Sequence, residues 1–360
     1  MKLRYNYFQG LALLLIPILY ACELNKEDDI DPIIDEPIVE EKVDGGLDTL
    51  GKWEWVDLGE IELGGHDIAF GSPDTVYIMN KIFHPFPGLK VSYDGGMTWL
   101  PGESQYNIIS GYNKMHLIDH NNIFLFGKFA PMLSSSNYSA NIYNFNFNDL
   151  YNSTYRSFFH EGWRGCLADV GSRGEDVYVL ALSSRVTIQG KLGDVQYDLN
   201  RYGVYESIAF ATDSVGFVGS DEGEILMTSD RNNSWVSILK DPDKLAIVEL
   251  FFHNSSLGFA LTNSNVMYRT TNGGKSWDKI ILPHKSNKQD IDYLNKKIVM
   301  VNDSRGFTNY GMEVFETTDG GRTWLRTLRV GKNSVNGISY DHTGAIWAVT
   351  GAGLLKFELN

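Results

Sequence analysis

Four carboxylates, Asp67, Glu206, Glu249 and Asp290, stand at the expected entrances of short strands. Acid–base or nucleophilic attack on a glycosidic bond needs two carboxyl groups facing each other across the sugar. Carboxylates at strand mouths could supply such a pair, so these four are the candidates for catalysis. A repeating architecture also places carboxylates at strand mouths by chance, and composition alone does not make them act together. A second cluster suits binding. The 26 residues from Tyr138 to Trp163 hold nine aromatics and run into His160-Glu161-Gly162-Trp163-Arg164-Gly165. Aromatic faces beside amides and charges fit sugar rings or the hot spots of a peptide interface, which nominates His160, Glu161, Trp163 and Arg164. The plain alternative is that aromatics fill strands because they favour them.

Other chemistry is excluded more readily. Among eight His, His116 and His120 are four apart, but in a strand-and-turn context that interval puts no two imidazoles on one helical face, so no metal site is expected. Cys22 and Cys166 lie far apart and the N-terminal context of Cys22 gives it another chemical use, so no internal disulfide is expected, and Cys166 reads as a buried thiol of an inner strand. There is no P-loop, dinucleotide fingerprint or nucleophile elbow, so no cofactor is implied. A net charge of -14 without basic blocks argues against nucleic acid as a partner.

The elements that must position these residues are strands. With 36 Gly, 13% aromatics and only 21% charged residues, the composition is that of an all-β protein. The strongest signal is internal repetition. Four segments align: Ser92-Tyr93-Asp94-Gly95-Gly96-Met97-Thr98-Trp99, Ser229-Asp230-Arg231-Asn232-Asn233-Ser234-Trp235, Thr270-Thr271-Asn272-Gly273-Gly274-Lys275-Ser276-Trp277 and Thr317-Thr318-Asp319-Gly320-Gly321-Arg322-Thr323-Trp324. The second reads as one residue short and without glycines. Each is predicted to be a tight turn in which the Asp or Asn side chain accepts backbone N–H groups and the glycines permit positive φ. Asp94, Asp230, Asn272 and Asp319 are 136, 42 and 47 residues apart, so two further turns of this type are expected to have eroded between the first and second.

These segments resemble the Asp-box, or BNR repeat, of β-propellers. The resemblance implies that the turn joins the third and fourth strands of a blade at the periphery, away from the binding face. Asp94, Trp99, Asp230, Trp235, Asn272, Trp277, Asp319 and Trp324 are then structural. An independent periodicity supports the repeat. Apolar or aromatic residues recur seven apart at Phe70 and Tyr77, Leu117 and Phe124, Phe210 and Phe217, Phe252 and Phe259, and Tyr340 and Trp347, with slipped pairs at Val170 and Tyr178 and at Tyr293 and Val299. Their second members advance about 45 residues per step, the length of a four-stranded propeller blade. The expected fold is all-β: a single seven-bladed β-propeller over 50–360 with four-stranded antiparallel blades. The last blade is expected to be completed by an N-terminal strand in Trp53–Leu58, which would leave no open edge.

The pattern looks most like the photosystem II assembly-factor propellers, and more distantly like sortilin-type ectodomains, xyloglucanases and sialidases. A sialidase would need an arginine triad and an Arg-Ile-Pro motif. The sequence has no Arg-Ile-Pro and offers only Trp163-Arg164 and Asn200-Arg201 near inner-strand starts. Fold does not dictate function. The expectation is a non-catalytic propeller that binds a glycan or a protein; the alternative is a glycoside hydrolase using carboxylates at the propeller mouth.

The N-terminus reads as an address. Lys2 and Arg4 precede an apolar run over Leu11–Leu19, too short to span a bilayer and the right length for a signal peptide. Leu19-Tyr20-Ala21-Cys22 resembles a lipobox, which implies a signal peptide over 1–21, lipidation of Cys22 and membrane attachment through it. Residues 22–49 then form an acidic disordered tether that carries 11 acidic and two basic residues from Glu23 to Thr49. Lys26-Glu27-Asp28-Asp29 resembles the surface-export signal of Bacteroidota lipoproteins, implying an outer-membrane protein that faces outward. The tether holds -9 of the total charge and the signal +2, leaving -7 for the rest.

Overall fold

The computed structural model describes residues 53–56, 65–80, 89–101, 114–119, 122–126, 139–144, 154–159, 167–173, 176–181, 185–190, 193–199, 204–284, 296–330 and 334–359. Among them there are strands and no helix. After β1 (Trp53–Trp55), the chain builds a four-stranded sheet from β2 (Gly65–Phe70), β3 (Val76–Asn80), β4 (Leu89–Ser92) and β5 (Leu100–Pro101). Two two-stranded sheets follow, β6 (Lys114–Asp119) with β7 (Asn122–Phe126), and β8 (Ser139–Asn144) with β9 (Thr154–Phe159). Next come four-stranded sheets of β10 (Leu167–Arg173), β11 (Asp176–Ala181), β12 (Arg185–Gly190) and β13 (Gly193–Asp198), and of β14 (Tyr205–Phe210), β15 (Gly216–Ser220), β16 (Glu224–Thr228) and β17 (Val236–Lys240). They are followed by β18 (Ile247–Phe252), β19 (Gly258–Thr262), β20 (Val266–Thr270) and β21 (Asp278–Ile281), then β22 (Ile298–Met300), β23 (Gly306–Tyr310), β24 (Glu313–Thr317) and β25 (Leu325–Arg329). The last sheet has the order β1-β28-β27-β26, from β26 (Val335–Tyr340), β27 (Ala345–Thr350) and β28 (Gly353–Glu358). Every pairing is antiparallel, including that of β1 with β28, where Trp53 faces Phe357 and Trp55 faces Leu355.

Burial follows strand position. The second strands β15, β19 and β23 are buried at every residue, whereas the outermost strands β17, β21 and β25 have only half-buried and exposed positions. Second strands therefore carry apolar or small residues on both faces, with the few polar ones such as Thr308 and Asn309 buried and hydrogen-bonded, and outer strands can be polar. The aromatics recurring every seven residues pack between sheets. Phe217 stacks on Phe252 of the next sheet at 4.5 Å and meets Trp277 edge-on at 6.1 Å; Phe259 meets Trp324 at 6.2 Å. Such contacts add to the area buried by each ring. One expected pair is corrected. Val299 lies on the innermost strand β22, and the second-strand aromatic of that sheet is Phe307, seven residues after Met300. A short inner strand hid this spacing. Tyr293 lies outside the described residues.

The Asp-box turns sit where the repeat places them, between the third and fourth strands of a sheet. In the first, Asp94 accepts from the Thr98 amide at 2.8 Å and the Thr98 hydroxyl at 2.5 Å, while the Ser92 hydroxyl accepts from Gly96 N at 2.8 Å. Trp99 Nε1 then donates to Gly96 O at 3.0 Å and seals the turn. Asn272 and Asp319 repeat the pattern with Ser276 and Thr323. The second turn is not shortened, contrary to the sequence reading. Thr228 takes the first position, donating to Asp230 at 2.9 Å and accepting from Asn232 N at 2.9 Å, so the box runs over eight residues, Thr228–Trp235. Arg231 and Asn232 adopt φ of 59° and 72° where the other boxes have glycines. The turn geometry thus survives loss of its usual residues.

Each box also docks on its surroundings. Gly95, Arg231, Gly273 and Gly320 donate their amides to carbonyls of the turn joining the first two strands of their own sheet. A Cβ on Gly274 or Gly321 would overlap the ring of Phe217 or Phe259 on the preceding sheet, and one on Gly96 would press on Trp347. This close approach explains the glycine better than φ alone, because it fits one sheet's turn against its neighbour's aromatic.

Candidate functional site

The innermost strands pack side by side, β2 against β6 and β26, β10 against β6 and β14, and β14 against β18. Most carry an irregularity near the start. Register shifts fall between Gly65 and Asp67, Leu167 and Asp169, Tyr205 and Ser207, Ile247 and Glu249, and Val335 and Gly337. A bulge re-aims the side chain that follows it. Here the re-aimed residue reaches the next sheet. Asp67 Oδ2 accepts from Met115 N at 2.8 Å, Asp169 Oδ2 accepts from Ile208 N at 3.0 Å, and Ser207 Oγ donates to Ile247 O at 2.8 Å. These side chains staple neighbouring inner strands where no ladder hydrogen bond joins them.

The inner strands enclose a cavity of about 440 Å³, lined from β2, β6, β10, β14, β18, β26 and the segment Lys297–Val299. Its charged collar contains two cross-links. Lys114 Nζ of β6 pairs with Glu249 Oε2 of β18 at 2.8 Å, and Lys297 pairs with Asp67 of β2. Burial works against the Lys114 ammonium, but Glu249, Asp169 and Asp67 outweigh it and hold its pKa above the ordinary lysine value. His116 stands in the same lining, and burial followed by the Lys297 charge lowers its pKa to about 4, so it is neutral near pH 7. Below the collar the wall is apolar or small, with Ala69, Gly171, Ala209 and Phe251.

Of the four candidate carboxylates, the structure brings Glu249 into the lining of this cavity and places Asp67 behind it, against the lining residue Lys297. Asp67 is 1% exposed and Glu249 lines the cavity, each engaged by a lysine. Glu206 is on β14, half-buried and outside the lining. Asp290, the proposed ligand residues His160, Glu161, Trp163 and Arg164, and Cys22 lie outside the described residues, as do His120 and Cys166. Among the described residues, no group of three or more His, Cys, Asp or Glu side chains could hold a metal ion. Sequence reasoning missed Lys114, Asp169 and Lys297. Asp169 was within reach, because it occupies the same third position of its inner strand as Asp67 and Glu249. The lysines stand outside that register.

A second buried cluster links the sheets containing β21 and β23. Glu313 is 1% exposed, accepts from Arg326 at 2.7 Å and Arg329 at 3.2 Å, and pairs with His284 Nδ1 at 2.5 Å. Lys296 donates to the carbonyls of Thr262 and Ser264 and lies 4.0 Å above the Tyr310 ring. Burial pushes its pKa well below the ordinary value. These contacts tie one sheet to the next.

Comparison with known proteins places the fold. Residues 192–358 match the family of the photosynthesis system II assembly factor YCF48. A search of curated proteins finds no match. Among solved structures, YCF48 bound to a D1 peptide is similar with 13% identity and a TM-score of 0.59, covering 87% of this chain and 96% of that one. YCF48 from Cyanidioschyzon merolae aligns at 13% identity and a TM-score of 0.58, covering 86% of this chain and 98% of that one. The GH74 xyloglucanase from Xanthomonas campestris aligns at 13% identity and a TM-score of 0.60, covering 85% of this chain and 53% of that one. At such identities these likenesses speak for the fold alone. Together with the four box turns, they give the chain the fold of a β-propeller with Asp-box turns, and the YCF48 family match spans a little under half of it.

Proposed function

We propose that this chain is a non-catalytic binding propeller whose ligand is a polypeptide, held where the inner strands begin around the central cavity. The observation that carries this reading is the state of the carboxylates. Asp67 and Glu249, two of the residues that could perform glycosidic chemistry, are cross-linked to Lys297 and Lys114. A glycosidic pair must face one cleft from both sides of the sugar, whereas Asp67 is sealed at 1% exposure by the Met115 amide and Lys297 and only Glu249 lines the cavity. A solved relative of this fold, YCF48, binds a D1 peptide, which favours a polypeptide over a sugar.

The same reading makes the propeller a closed ring of seven blades. β7 packs beside β8, so the two short sheets would form one blade, and the pairing of β1 with β28 would complete the last. Lipidation of Cys22 would tether the ring at the outer membrane, facing outward, through the acidic segment 22–49.

The test uses the full chain on a peptide array, with a reducing-sugar assay on plant and bacterial polysaccharides in parallel. Saturable peptide binding without sugar release is expected; sugar release would make the protein a glycoside hydrolase and overturn the reading. Metabolic labelling with an alkyne fatty acid tests the anchor, and label retained by Cys22→Ala would contradict it.

A further inference from the structure

We propose that the central cavity takes a basic side chain, lysine or arginine, of the bound polypeptide, with Glu249 as its counter-charge. This rests on the polypeptide-binding reading and adds the chemistry of the guest. The cavity of about 440 Å³ falls in the range of sites that hold a small ligand or one long side chain.

The sign of the guest follows from the collar. Asp67, Asp169 and Glu249 face two ammonium groups, Lys114 and Lys297. His116 adds no charge near pH 7, since its pKa lies at about 4. Counted with Asp67, which stands behind Lys297 outside the lining itself, the described residues of this cluster sum to one formal negative charge. Beside buried low-dielectric walls a charge is screened less than at an open surface, so a cation entering here gains more than it would there. An anion would have to displace a partner from a lysine already paired.

Exposure selects Glu249 among the three carboxylates. Asp67 and Asp169 are 1% and 7% exposed, sealed by the backbone amides they accept, whereas the Glu249 side chain keeps 18% of its surface. Lys114 occupies its Oε2, and a guest cation can share the same carboxylate. Phe251 and Phe252 in the wall suit the alkyl stem of a basic side chain and attract its charged head.

The probes are pentylamine and butylguanidine against valerate and 1-pentanol, titrated into the full chain by calorimetry. The two cations should bind saturably, and the anion and alcohol at least about tenfold more weakly, as expected for loss of one charge-assisted contact. Glu249→Gln should weaken both cations about tenfold, with its melting checked because Lys114 loses its partner. Ala209→Phe, which fills the cavity without touching the charges, should abolish their binding. Valerate binding as well as the amines, or amine binding unchanged in Ala209→Phe, would overturn the proposal. The two readings fail separately: peptide capture indifferent to basic residues, with no amine binding, sinks this inference alone. Amine binding with no peptide captured sinks the polypeptide reading and leaves the cavity a cation site.

Discussion

The box turns and the cavity collar use the same ingredients, carboxylates beside hydroxyls, amides and amines, yet they differ in almost every other respect. In the boxes each carboxylate bonds within its own eight residues, as Asp94 does with Ser92 and Thr98. In the collar each reaches a different sheet, as Asp67 does to Met115 and Lys297. Local bonds repeat because each turn needs only its own residues. Collar bonds repeat only in part: Asp67 and Asp169 follow equivalent bulges and each accept an amide of the neighbouring inner strand, whereas Ser207, Glu249 and Gly337 at the matching positions differ, because each answers a different neighbour. Repetition builds the scaffold, and the departures from it are where specificity can reside.

Four predictions probe that contrast. The largest effect should come from the docking side of a box. Gly321→Val adds a side chain at φ 84° against the Phe259 ring, which should cost about 4 kcal/mol from backbone strain and overpacking together. Chemical denaturation would check it, and a loss near zero would mean that the turn does not dock as described. In the collar, Lys114→Met strips Glu249 of its partner and should cost about 3 kcal/mol. The double change Lys114→Met with Glu249→Met should recover much of that loss. Additive losses in the double-mutant cycle would show the pair to be uncoupled.

The two regions should also lose stability in different pH windows. His116 has a folded pKa of about 4, below its ordinary value near 6.5. The unfolded chain therefore binds more protons between these values, and stability falls as pH drops from about 6.5 to 4. Asp94, lowered to about 2 chiefly by the Thr98 hydroxyl, keeps its contribution above the unfolded carboxylate value and loses it as pH falls toward 2. The box of Asn272 has no carboxylate to titrate. Melting curves against pH should show both windows; His116→Gln should flatten the upper one and Asp94→Asn part of the lower one. The smallest effect is a gain. Asn232 is buried at φ 72° with neither amide atom partnered, so Asn232→Gly should stabilise by about 1 kcal/mol, read as a raised melting temperature.

Legibility in the sequence follows the same division. Box residues lie within eight positions of one another, so Asp94, Asn272 and Asp319 announced both the turn and its strands. The box at Asp230 was recognised but misaligned by one residue, because its first hydroxyl, Thr228, precedes a serine that mimics it. The collar was half legible. Asp67 and Glu249 stood out as carboxylates at strand starts, but the lysines that engage them come from 135 and 230 residues away, and no local pattern encodes that pairing. Their meaning changed accordingly, from possible catalysts to cross-links.

The most direct test of the account compares one cavity variant with one rim variant. The affinity of an array-selected peptide would be measured by calorimetry for the full chain, for Ala209→Phe and for Asp94→Asn. The account predicts a loss of about tenfold or more in Ala209→Phe and unchanged affinity in Asp94→Asn. Unchanged affinity in the cavity variant together with a loss in the rim variant would contradict it.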